Sequence, residues 1–220
     1  LLGTLTFTTL AETNSPVGAY AVTPGGLGST NYAVAFADGV LTVTPHALLV
    51  GADNQTKVYG ADLPALTGTV SGVHNGDAIS ATFTTIATAA SNVGSYAITA
   101  VINDPNSLLT NYTVTQVEGV LAITPAPLLV TAENAGRVYG AGNPVFTAGY
   151  AGLVNGDTAA GLDTPVTLGT VADAASAVGT YPITAGAAAD ANYTVGFGEG
   201  VLTITPAPLL VTAENAGRVY

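Results

Sequence analysis

An all-β chain of small tandem modules, β-sandwich or β-grasp-like and set in an extended array, is the fold class that the 220 residues predict, and three observations carry it. The sequence repeats itself: residues 123–139 are identical to 204–220, and Gly39-Val40-Leu41, Gly119-Val120-Leu121 and Gly200-Val201-Leu202 are spaced by 80 and then 81 residues. Apolar and polar residues alternate with a period of two, the mark of half-buried strands. No stretch of a dozen residues shows the i, i+3, i+4, i+7 spacing of an amphipathic helix, and Gly, Pro and β-branched residues bound every Ala-rich stretch.

A period near 80 is the size of one small domain. It divides the chain into 1–45, the second half of a unit; 46–125 and 126–206, two complete units; and 207–220, the opening strand of another. The chain opens in mid-repeat and reads as a stretch of a longer array. Its end pieces fall about 21 residues short of one period, so no simple permutation closes a ring.

The strands follow in order. One starts at Tyr20/Val22, at Tyr96/Ile98 and at Tyr181/Ile183, each time just after a glycine. A second alternates at Tyr32, Val34 and Phe36, at Tyr112 and Val114, and at Tyr193, Val195 and Phe197. A short Gly-containing turn, Val117-Glu118-Gly119 or Gly198-Glu199-Gly200, then predicts a hairpin into Leu121/Ile123 or Leu202/Ile204. Tyr112, Tyr193, Val114, Val195, Leu121 and Leu202 are the expected core. Pro182 cannot donate to a ladder, so it belongs on an edge or a bulge. Helix should stay below about a tenth of residues, with short turns at most at 86–90 and 172–177. Units join through Thr44-Pro45-His46 and through Thr-Pro-Ala-Pro at 124–127 and 205–208, short joints that proline stiffens.

Composition excludes several functions. The chain is 48% hydrophobic and only 8% charged, against roughly 25% charged in an ordinary domain. Its basic residues are Lys57, Arg137 and Arg218, against 14 acidic ones. That leaves too little positive charge for a phosphate backbone or an anionic membrane, and no apolar run is long enough to span a bilayer as a helix. Without cysteine there is no disulfide framework and no thiolate metal site. Thr, Gly and Asn enrichment with few lysines points to an exported, extracellular or bacterial cell-surface protein.

Several recurring motifs are similar to a known family. Val58-Tyr59-Gly60 and Val138-Tyr139-Gly140, each followed by a proline (Pro64, Pro144), Asn75-Gly76-Asp77 and Asn155-Gly156-Asp157, and Asn31-Tyr32, Asn111-Tyr112 and Asn192-Tyr193 precede the closing Gly-Val-Leu strand in fixed order. In this the chain resembles bacterial MBG domains of the YGX type, which occur in tandem in large surface and adhesin-like proteins. The resemblance covers both complete units and both partial ones. It implies a compact, mostly-β module of an exported repetitive protein, and it brings no catalytic residues with it.

Each motif has two readings. The Tyr-Gly pair is a ligand contact or, more in keeping with its regular recurrence, a core anchor beside a glycine free to take φ > 0. Asn-Gly-Asp is a calcium-ligating loop or an ordinary turn; calcium wants six to eight oxygens, and one aspartate falls short. Hydrolysis needs a nucleophile, a base and an orienting group together, but His46 and His74 are replaced by Ala126 and Val154 in the next unit. An isopeptide staple would need a lysine per unit, whereas Lys57 is the only one and Arg137 stands in its place. No catalytic, cofactor or metal residues are therefore assigned, and no enzyme is expected.

The expected role is a rigid spacer, stalk or extracellular fibre; the alternative is an adhesive module that holds a glycan or host protein on an exposed polar face. The partners expected are neighbouring repeats or copies of the chain end to end. Such stacking takes place either as successive repeats of a longer polypeptide, which the missing 21 or so residues favour, or by donation of a strand at 209–213 to a neighbour's half-domain.

Overall fold

The computed structural model describes all 220 residues, Leu1–Tyr220. The chain is nearly all β, with two three-residue 3-10 turns, Leu109–Asn111 and Ala159–Gly161, as its only helical segments. The leading fragment forms β1 (Thr6–Thr9), β2 (Gly18–Gly25) and β3 (Gly39–Val43), an antiparallel sheet in the order β1-β2-β3. The second repeat forms β4 (His46–Ala52), β5 (Gln55–Val58), β6 (Gly68–Ser71), β7 (Ser80–Thr84), β8 (Gly94–Asn103), β9 (Tyr112–Val117) and β10 (Gly119–Thr124). The third forms β11 (Ala126–Ala132), β12 (Ala135–Val138), β13 (Ala148–Ala151), β14 (Thr167–Gly169), β15 (Gly179–Gly186), β16 (Tyr193–Gly198) and β17 (Gly200–Thr205).

Both complete repeats share one plan, a three-stranded and a four-stranded sheet: β6-β4-β9 with β5-β10-β8-β7, and β13-β11-β16 with β12-β17-β15-β14. The opening strand of each repeat runs parallel to its penultimate one, with His46 opposite Tyr112 and Ala126 opposite Tyr193. Parallel partners need a long crossover between them, and the rest of the repeat supplies it.

The chain divides into two compact units. In Leu1–Thr56, Pro64–Ile86 and Ser95–Ala122, Leu48 and Val50 of β4 pack with Ile79 and Tyr112, and Phe83, Ala100 and Ile102 of the facing sheet lie against them. In Lys57–Leu63, Ala87–Gly94 and Ile123–Tyr220, Ala132 of β11 packs with Ala172, Ile183, Leu202 and Ile204. Leu121 and Leu202 are fully buried, and Tyr112 and Tyr193 nearly so, as expected. Pro182 also fits its place: β14 pairs with β15 only from Thr184 to Gly186, so at Pro182 the strand has a neighbour on one side, β17.

Several expectations fail, each for a physical reason. Val117-Glu118-Gly119 and Gly198-Glu199-Gly200 do not close hairpins, because β9 and β10, like β16 and β17, belong to different sheets. The glycine is needed for that crossing: a Cβ on Gly200 would lie 2.6 Å from the Ala132 carbonyl oxygen, and one on Gly119 2.5 Å from that of Asp53. Val114 is exposed and Val195 half-buried, because β9 and β16 are edge strands and the central β4 and β11 take the covered positions. No strand forms over Tyr32, Val34 and Phe36, whose fragment lacks the parallel partner that β4 and β11 provide elsewhere. Residues 207–220, read as an opening strand, carry none. The two 3-10 turns lie at 109–111 and 159–161, outside 86–90 and 172–177, the only places where the sequence admits a short helical turn; there the chain instead makes turns closed by Ser91 N on the Thr88 carbonyl and by Ser176 N on that of Asp173, which commit those backbone groups to a single reversal.

Candidate inter-repeat interface

The Asn-Gly-Asp motif is where the interface begins. Asn75 and Gly76, like Asn155 and Gly156, both have positive φ, the requirement of a type I′ turn, and the turns close from Asp77 N to the His74 carbonyl and from Asp157 N to that of Val154, both at 2.9 Å. Each turn presents its aspartate to the tyrosine of an Asn-Tyr pair. The Tyr112 hydroxyl donates to Asp77 Oδ2 at 2.5 Å and accepts from His74 N at 3.0 Å. The Tyr193 hydroxyl donates to Asp157 Oδ2 at 2.6 Å and accepts from Val154 N at 3.0 Å. Burial first, and then the hydrogen bond to the carboxylate, pushes Tyr193 up to about 12 and raises Tyr112 in the same direction.

The asparagine of the same pair reaches the preceding repeat. Asn111 Oδ1 accepts from Val17 N, and Asn192 Oδ1 accepts from Val93 N, both at 2.9 Å. The first bond lies wholly in one compact unit and the second wholly in the other.

At the second junction the Tyr-Gly motif joins them. Tyr59 donates from its hydroxyl to Asp157 Oδ2 at 3.1 Å and sets its ring edge-on to Tyr193, centroids 5.5 Å apart at 84°. Its backbone N donates to the Thr124 carbonyl at 2.9 Å. Gly60 (φ +78°) lies so close to the next repeat that a Cβ would sit 2.4 Å from Val154 Cγ2. Asp157 thus gathers one tyrosine from each of two repeats. The Tyr-Gly pair is an anchor, as expected, but Tyr59 anchors against the following module, and its counterpart Tyr139 is half exposed.

A cleft of about 200 Å³ remains beside Tyr59, Asp157 and Tyr193. At the first junction a cleft of about 420 Å³ lies beside Asp77 and Tyr112. His46 and His74 line it, their rings edge-on with centroids 4.0 Å apart. No group of three or more His, Asp or Glu side chains is placed to hold a metal ion.

A second recurring feature escaped the sequence reading. Lys57 and Arg137 are both buried, although such residues are almost never buried unpaired. Lys57 Nζ donates to the carbonyls of Ala61 and Ala89, each at 2.9 Å. Arg137 donates from Nε to Asn143 Oδ1 at 2.8 Å and from a terminal nitrogen to the Asp173 carbonyl. Each cation ties the Tyr-Gly loop to the Ala-rich turn without a carboxylate, Lys57 through backbone carbonyls and Arg137 through a backbone carbonyl and the Asn143 amide. The equivalence of the two positions was visible in the sequence; nothing there marked them as interior.

The sequence profile of the MBG domain (YGX type) family matches residues 2–42, 48–122 and 128–203. No curated protein matches the chain.

Proposed function

Because the chain belongs to the MBG domain (YGX type) family, three times in succession, we propose that it is a mechanical element of a secreted or bacterial cell-surface protein, a spacer or stalk whose working part is the repeat junction. One observation supports this reading above the others: at the second junction Tyr-Gly, Asn-Gly-Asp and Asn-Tyr, motifs found in both complete repeats, converge on the contact between adjacent modules. Their polar groups are spent on each other, so they hold a joint rather than wait for a substrate. No catalytic role is proposed, since His46 and His74 give way to Ala126 and Val154 one repeat later.

Single-molecule pulling tests the reading. The intact chain should resist with a junction event that Asn192→Ala weakens while each module still unfolds at its own force. Junctions that part at the noise level in the wild type would contradict it. The adhesive alternative predicts saturable binding to a glycan or an extracellular host protein, and screening the chain against both classes separates the two.

A further inference from the structure

We infer that Tyr59 and Tyr193 form an oxidation site, where a carbon–carbon bond between the two rings staples the second repeat to the third. The purpose of such a staple rests on the load-bearing reading above, whereas its chemistry rests on the pair itself. Composition directs oxidation to tyrosine. Cys, Met and Trp, the side chains that ordinarily give up electrons before a phenol does, are all absent, while there are 10 tyrosines.

Tyr59 and Tyr193 meet three conditions for coupling. Their rings are in contact, edge to face, with centroids 5.5 Å apart. Their hydroxyls converge, since both donate to Asp157 Oδ2, at 3.1 and 2.6 Å. The ortho carbons, next to each hydroxyl-bearing carbon, are therefore gathered around one carboxylate. That carboxylate can take a proton as an electron leaves. Tyr20 and Tyr181, by contrast, donate to the backbone carbonyls of Pro16 and Ala177, which are far weaker bases. Each ring is only 6% exposed, which keeps a radical from other molecules. The cleft of about 200 Å³ that both line with Asp157 gives a small oxidant close approach.

Each phenol loses one electron to the oxidant and its hydroxyl proton to Asp157, which passes it to solvent. The two phenoxyl radicals join through an ortho carbon of each ring as the rings turn from their edge-on contact. The hydrogens on those carbons then move to the oxygens, and both rings are aromatic again. Two hydrogens are lost in all. The oxidant is of the one-electron class, such as a peroxidase that takes both electrons in single steps and reduces one hydrogen peroxide to two waters. The product closes the chain from Tyr59 to Tyr193 into a covalent loop across the junction, so the two repeats cannot part there under load.

Brief photolysis of the dilute chain with tris(bipyridyl)ruthenium(II) and persulfate, followed by denaturation and trypsin, tests the proposal. Trypsin cuts after Lys57, Arg137 and Arg218, which puts Tyr59 in fragment 58–137 and Tyr193 in fragment 138–218. The two fragments should be recovered joined and two hydrogens lighter than the pair, with the blue emission of a bityrosine and with the bond mapped to Tyr59 and Tyr193. Tyr59→Phe and Tyr193→Phe each keep a ring in place, and each should lose that product. Tyrosine oxidation that leaves the fragments separate, a bond that maps to another pair, or a joined product that persists in either variant would overturn it. Because the product is read by mass, the result is independent of the force measured at the junction.

Discussion

Residues 126–139 and 207–220 are the same fourteen amino acids in two conditions. In the first, β11 and β12 form, with Leu128 2% and Val130 0% exposed; in the second there is no strand, and Leu209 and Val211 are 88% and 83% exposed. Local sequence is identical, so propensity cannot be the cause. The difference is the partners: β11 has β13 and β16 on its two sides and β12 has β17, while residues 207–220 have none in the chain. The same comparison holds for Tyr193, buried in β16, and Tyr32, exposed and outside any strand. Strand preference in this protein is a property of the pleated surface that a segment joins, not of the segment alone.

Paired substitutions sharpen that contrast, the largest first. Tyr193→Ala removes a core ring and a hydrogen bond to Asp157 and should cost about 3 to 5 kcal/mol in urea unfolding, whereas Tyr32→Ala should stay within about 0.5 kcal/mol. Leu128→Ala should cost about 2 to 5 kcal/mol, and the identical change Leu209→Ala about 0.5 kcal/mol or less. Equal losses in either pair would mean that the two copies of the sequence are in the same state. Asn192→Ala unpairs Val93 N at the junction and should cost about 1 to 3 kcal/mol; Asn31→Ala, with no such bond to lose, should be near neutral.

Alkali gives the smallest effect. Tyr193 keeps its proton more tightly when folded, so its contribution is complete below its ordinary value of 10.0 and is lost as pH rises toward about 12. Stability measured through that window should fall, and Tyr193→Phe should flatten the fall. A slope unchanged in Tyr193→Phe would place the titration elsewhere.

Much of the fold was legible. Period-two alternation located β8, β15, β10 and β17, and the glycine before each of Tyr20, Tyr96 and Tyr181 marked where a strand begins. What misled was the pairing: a Gly-containing turn between two apolar runs looks the same whether it closes a hairpin or crosses between sheets, and only the close approach at Gly119 and Gly200 tells them apart. The interface was legible as a set of motifs without an address. Asn111 and Asn192 recur in frame, but that their amides face the preceding repeat depends on three-dimensional stacking, which spacing along the chain does not encode. Lys57 and Arg137 were hidden because their partners are mainly backbone carbonyls, which, unlike carboxylates, have no sequence signature.

Backbone hydrogen exchange on this chain tests most directly the claim that partners and not local sequence make these strands. The amides of Leu128, Leu129 and Val130 should be protected by orders of magnitude, while those of Leu209, Leu210 and Val211 exchange at the rate of an unpaired chain. Comparable protection of the two identical segments would contradict the claim.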